Sequence, residues 1–127
     1  MIAVDTSALI AIVFDEEKAD ACSKALETET EVLISAGTLA ESLIVARRRH
    51  ETEEVERLIN DLSIEIISVT PASARRVAEA QQRWGKGIHP AGLNFGDCFA
   101  YALAKERDCP LLFVGNDFSK TDIESVL

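Results

Sequence analysis

Four acidic residues stand where a single small domain can bring carboxylates together. They are Asp5 in "MIAVDTSALIAIVF", Glu41 in "ISAGTLAESLIVA", Asp97 in "LNFGDCFAYALAKE" and Asp117 in "LLFVGNDFSKTDI". A cage built only from oxygen ligands selects a hard cation, Mg²⁺ or Mn²⁺, over zinc. Crowded carboxylates repel one another unless they are protonated or neutralised by a metal. Such a site suits hydrolysis of a phosphodiester. A bound metal can activate water and stabilise the leaving oxygen, so no Ser–His nucleophile is needed. Gly96 has no side chain and would let backbone or substrate approach Asp97 closely.

Each acid also has a plainer reading. Asp5 is a good helix N-cap. Asp97 can be the third helical residue answering an Asn94 cap. Asp117, in an Asn-Asp pair, suits a turn. Glu41 is the hardest to explain away, because its helical neighbours are Gly37, Thr38, Ile44 and Val45. A carboxylate on that face is costly to bury unless it is paired or binds a metal. The remaining alternative is surface exposure with Arg48 nearby.

The elements that must position these acids follow from pattern. "IAV" (2–4) reads as a short buried strand, and "DTS" offers three caps for a helix over Ala8–Phe14. "EEKADACSKALETE" predicts an amphipathic helix with acids in its first turn. "VLI" (32–34) is a second strand, and "AGTLAESLIVARRRH" is a helix with a basic last turn. Thr52 is the expected cap of the helix in "TEEVERLINDL". "IEIISV" is a third strand, and "TPASARRVAEAQQRW" is a helix with Thr70 as cap and Pro71 at its first position. A loop, "GKGIHPAGLN", leads to a helix from Phe95. "PLLFV" is a fourth strand, followed by a turn and a short final strand. Strands alternating with helices predict a parallel sheet covered on both faces, with ligands gathering beyond the carboxyl ends of the strands. Asp5 and Asp117 are expected at that edge, with Glu41 and Asp97 near helix starts that face it.

The composition bounds the rest. A chain of 127 residues with 47% hydrophobic residues suits one globular domain. The apolar run Ala8–Phe14 is too short to span a bilayer, and Met1 leads into a strand with no basic n-region, so a cytoplasmic protein is expected. Cys22, Cys98 and Cys109 lack metal-site spacing and read as buried free thiols. A net charge of −9 argues against broad electrostatic attraction to nucleic acid, although a metal bound by clustered acids reverses the local sign.

The stretches "VDTSALIAI", "ISAGTLAES", "GKGIHPAGLNFGDCFAYALAKE" and "LLFVGNDFSKTDI" together resemble the PIN-domain ribonucleases, in particular the VapC toxins of bacterial toxin–antitoxin pairs. They run from the first strand to the last, so the likeness implies one PIN domain over 1–127 with a three-layer α/β/α fold and a short central parallel sheet. It implies a Mg²⁺- or Mn²⁺-dependent endoribonuclease. Asp5, Glu41 and Asp97 match its core acids, and Asp117 fits a less regular fourth position beside Asn116. Thr6 matches a supporting hydroxyl. The resemblance further implies an RNA substrate, a cognate antitoxin, and a toxin homodimer or toxin–antitoxin hetero-oligomer; with no apolar run long enough to span a bilayer, no membrane association is expected.

Other signals carry less. Gly87 and Gly92 have phosphate-loop spacing, but Leu93 and Asn94 replace the required Lys and Ser/Thr. His89 is a lone loop histidine. "RRRH" (47–50), with Arg75, Arg76, Arg83 and Lys86, offers phosphate contacts or simply solvated surface. Trp84 and Phe95 can stack bases, though packing explains them more simply. The apolar surface of "SALIAIVF" and "ADACSKAL" is mostly core, and any exposed remainder would form a partner groove. A haloacid-dehalogenase-like phosphatase would need a second Asp two residues after Asp5, where Ser7 stands. A receiver domain would need a phosphoacceptor Asp after the third strand, where Thr70 and Pro71 follow. A catalytically silent PIN-like module that binds RNA or protein is the remaining alternative.

Overall fold

The first strand, β1 (Ile2–Val4), already divides the interior in two. Its side chains alternate across the pleat: Ile2 and Val4 enter one hydrophobic cluster and Ala3 the other. The second strand, β2 (Val32–Ser35), repeats this, with Val32 and Ile34 on the first side and Leu33 on the second. Both strands are buried on both faces, so the sequence reads as continuous apolar runs and not as alternation.

A computed structural model describes all residues 1–127. The remaining elements are α1 (Thr6–Val13), α2 (Ala19–Thr28), α3 (Ala36–Arg47), α4 (Thr52–Asp61), β3 (Glu65–Ile67), α5 (Pro71–Trp84), α6 (Phe95–Glu106) and β4 (Leu111–Leu112). The sheet order is β3-β2-β1-β4, and every pairing is parallel. Helices α1 to α4 supply the cluster on one face and α5 and α6 the cluster on the other. This is the three-layer α/β/α arrangement expected from the sequence.

Local chemistry sets most boundaries. Asp5 caps α1 and accepts from the Ser7 N–H, so the helix begins at Thr6, two residues earlier than Ala8. Ser35 caps α3 through the Gly37 N–H. Thr70 and Ser73 form a capping box that spans Pro71 at the first helical position. Thr52 does not cap α4 as expected. Glu51 holds that position, and no side chain bonds the helix end. The acids Glu16 and Glu17 precede α2, which retains only Asp20 in its first turn. The third strand is shorter than its apolar run, and it lies at the sheet edge with Ile66 exposed. The final strand reduces to a single parallel bridge, Leu111 to Ser125.

The layers are pinned by specific contacts. Trp84 is buried, as core packing requires, and its indole N–H donates to the Tyr101 hydroxyl at 2.9 Å. Tyr101 in turn donates to Asp122, which tethers the C-terminal segment. Near the start of α3, the Phe99 ring occupies the space where a side chain on Gly37 would sit. Helix propensity alone favours Gly37→Ala by about 1 kcal/mol. Overlap with the Phe99 ring should reverse that sign and cost about 1–3 kcal/mol, read from urea denaturation midpoints. A Gly37→Ala protein more stable than wild type would contradict this packing.

Candidate metal centre at the carboxyl ends of the strands

The strand order reverses direction at β1, whose neighbours are β2 on one side and β4 on the other. In open α/β sheets ligands collect in the crevice at such a switch point, beyond the carboxyl ends of the strands. Asp5, buried, directly follows β1 there. The Asp5 N–H donates to the Leu112 carbonyl, which locks it to β4. Ser7 donates twice to Asp5 Oδ2, from its N–H at 3.0 Å and from its hydroxyl at 2.7 Å. The Val114 N–H donates to the same hydroxyl at 3.0 Å. One carboxylate oxygen of Asp5 is thus fixed by both walls of the crevice. The other, Oδ1, is buried with no hydrogen-bond partner.

Asp97 is the third residue of α6 and closes a capping box. Its N–H donates to Asn94 Oδ1 at 2.8 Å, and its Oδ2 accepts from the Asn94 N–H at 3.0 Å. Glu41, one turn into α3, is half-buried and accepts from the Thr6 hydroxyl at 2.6 Å. Its carboxylate lies against Gly96, where a β-carbon would overlap it. Glu41 is therefore turned inward to Thr6 and Gly96, not outward to Arg48. Asp117 lies in the exposed turn after β4, closed by the Ser119 N–H on the Asn116 carbonyl. The Asn116 side chain is exposed and forms no hydrogen bond.

The acids feel one another. Burial is the main cause that lifts the Asp97 carboxyl to about 7. The Asn94 N–H opposes it, while the charges of Asp5, Asp117 and Glu41 add to it. Burial likewise lifts Asp5 to about 6, opposed by Ser7 and reinforced by Glu41. No three acids, histidines or cysteines converge as a ready ligand shell; Asp5, Glu41 and Asp97 are each turned to a donor of their own. The donor set nonetheless fits a hard divalent cation. It consists of oxygen alone, and it includes a buried Asp5 oxygen that nothing else satisfies.

Ser7 and Ser42 are the side chains at this site that pattern reading passed over. Ser7 had a visible signal, an Asp followed two residues later by a hydroxyl at a helix start. Ser42 had only a weak one, a small polar residue four after Thr38. Several other candidates are taken up elsewhere. His89 Nδ1 accepts from the Ala91 N–H and its ring packs edge-on to Trp84, which gives it a role within its loop. Arg49 lies over the Phe14 ring. Arg76 and Arg83 pair with Glu106 and Asp122. Phe95 does not pack into the core: it is 73% exposed, leaning on Phe99. Cys22, Cys98 and Cys109 are free and buried.

Comparison with known proteins places this chain among recognisable relatives. A PIN domain family profile matches residues 2–124. Ribonuclease VapC42 of Mycobacterium tuberculosis is 42% identical over 124 residues, covering 94% of this chain and 95% of that protein. Ribonuclease VapC36 of the same organism is 43% identical over 125 residues, covering 95% and 90%. Among solved structures, M. tuberculosis VapC20, described as a sarcin-ricin loop cleaving toxin, superposes with a TM-score of 0.82 at 17% identity. That match covers 99% of this chain and 98% of the other. A toxin–antitoxin complex from Klebsiella pneumoniae gives 0.74 at 20% identity, covering 96% and 93%.

Raised carboxyl pKa values set the sign of the pH dependence. The folded protein holds protons on Asp5 and Asp97 that the unfolded chain, with carboxyls near 3.8, has already lost. Their contribution to stability is therefore lost as pH rises from about 4 through about 7. For Asp5 the full loss is on the order of 2–3 kcal/mol. Metal-free Asp5→Asn should therefore be more stable than wild type near pH 7.5, and the difference should shrink near pH 5. Thermal melts at the two pH values check this. A difference that is absent, or that grows on acidification, would contradict it.

Proposed function

The chain belongs to the PIN-domain family, and from that membership we propose that it is the ribonuclease toxin of a toxin–antitoxin pair, cutting RNA phosphodiesters with Mg²⁺ or Mn²⁺. The observation that carries the metal dependence is the buried, partnerless oxygen of Asp5 within electrostatic reach of Glu41 and Asp97. A carboxylate oxygen kept dry and unbonded is costly unless a cation meets it.

Asp5, Asp97 and Glu41 would hold the ion, with Asp117 the outer member of the set. When bound, the ion supplies a water made more acidic and charge stabilisation at the leaving oxygen. The protein's own groups do the rest. Ser7 fixes the Asp5 carboxylate between β1 and β4, and the Asn94 cap fixes Asp97. Thr6 holds one oxygen of Glu41. The bare Gly96 backbone makes room for the Glu41 carboxylate itself, which a β-carbon there would displace. The N-termini of α1 and α6, where Asp5 and Asp97 sit, add favourable dipoles for an anionic substrate.

The partners follow from the same family membership. A cognate antitoxin would cover the carboxylate crevice, and toxin copies would pair as a homodimer or within a toxin–antitoxin hetero-oligomer. No helix is long and apolar enough to cross a membrane. A cytoplasmic location completes the proposal.

Purified protein should cut RNA with Mg²⁺ or Mn²⁺ and stop in excess EDTA. Asp5→Ala and Asp97→Ala should each lower the rate by about 100-fold or more, and should relieve growth inhibition on expression. Cleavage that persists in EDTA, or in both variants, would overturn the proposal. Two folded variants that remain toxic without cutting RNA would favour a silent binding module.

A further inference from the structure

Beneath Glu41 lies a patch of hydroxyls that ordinary core packing does not explain. Thr6, Thr38 and Ser42 are all buried, and the latter two are fully excluded from solvent. Ser42 Oγ lies 3.0 Å from Thr6 Oγ1 and 2.9 Å from the Thr38 carbonyl. Thr6 Oγ1 lies 2.6 Å from Glu41 Oε1 and 3.3 Å from that same Thr38 carbonyl. Each hydroxyl has one proton to give, and three acceptors lie within reach of the Thr6 proton: Glu41 Oε1, the Thr38 carbonyl and Ser42 Oγ.

The 2.6 Å contact settles where that proton goes: the Glu41 carboxylate can only accept, so Thr6 donates to it. The 3.0 Å contact between the two hydroxyls then needs the Ser42 proton, and Ser42 donates to Thr6 Oγ1. Ser42, Thr6 and Glu41 thus form a donor chain that runs toward the carboxylate. Hydrogen bonds in such a chain also polarise one another. We propose that Ser42 is a positioning residue that acts through Thr6, pinning Glu41 Oε1 so that Oε2 stays over Gly96 for a divalent ion or its water.

The residue types suit this role. An Arg or Lys under Glu41 would orient it equally well, but it would neutralise the charge a cation needs. A neutral hydroxyl orients the carboxylate and leaves that charge in place. Without the Ser42 hydroxyl, Thr6 loses the donor that polarises it, and its hold on Glu41 Oε1 weakens.

This inference rests on the metal-dependent reading of the site, and a double-mutant cycle on Mn²⁺ affinity separates the two. Binding is measured by electron paramagnetic resonance on wild type, Ser42→Ala, Glu41→Gln and the double variant, with circular dichroism as a check on folding. Ser42→Ala should weaken Mn²⁺ binding by roughly tenfold in wild type and by less than about twofold in the Glu41→Gln background. Ser42→Thr, which keeps the hydroxyl, should recover most of the loss. An equal loss in both backgrounds would mean that Ser42 acts on general packing and would overturn the proposal. So would wild-type affinity in a folded Ser42→Ala. Wild type that binds no Mn²⁺ would defeat both this inference and the nuclease function on which it stands.

Discussion

Buried carboxylates that feel one another's charge are costly, and this fold keeps two of them buried within reach of a third. Asp5 and Asp97 are each more than nine-tenths buried, and each feels the other carboxylates. Burial alone raises the cost of their ionised forms, and mutual repulsion adds to it. The surrounding structure is arranged to bear this cost. β1 and β4 meet at Asp5, α3 lays Glu41 against the start of α6, and Gly96 removes the one side chain that would block the approach. On the proposed function, a divalent cation would relieve the repulsion that these contacts maintain.

The structural and the chemical roles of the acids are not alternatives. Asp5 caps α1 and Asp97 closes the capping box of α6, as their positions in sequence suggest. Each cap uses Oδ2 and thereby fixes the carboxylate plane. For Asp5 the other oxygen is left buried and unpaired. On the proposed function, each cap would also position a metal ligand. The same holds for Ser7, whose hydroxyl both bonds Asp5 and ties Val114 to the crevice wall.

Much of this was legible in the chain. Short apolar runs alternating with helical periodicity gave the parallel sheet and its two helical layers. "DTS", "TPAS" and "LNFGD" carried their caps openly, because capping is local chemistry. What depended on tertiary contact was harder to see. The edge position of β3 and the shortness of β4 follow from pairing partners, which a strand's own residues do not reveal. Phe95 looks like a core aromatic by type, yet it is exposed because α6 turns it away from the sheet. Ser42 is ordinary in sequence, and its role appears only when α3 brings it within 3.0 Å of a hydroxyl 36 positions away.

Diffraction from crystals soaked in Mn²⁺, collected to use its anomalous signal, tests the central claim most directly. The expected result is a peak in the crevice within about 2.0–2.3 Å of Asp5 Oδ1 and an Asp97 oxygen, with Glu41 binding directly or through water. A crevice with no peak at saturating Mn²⁺, or an ion held only by acids elsewhere on the surface, would contradict the claim that these carboxylates share one cation.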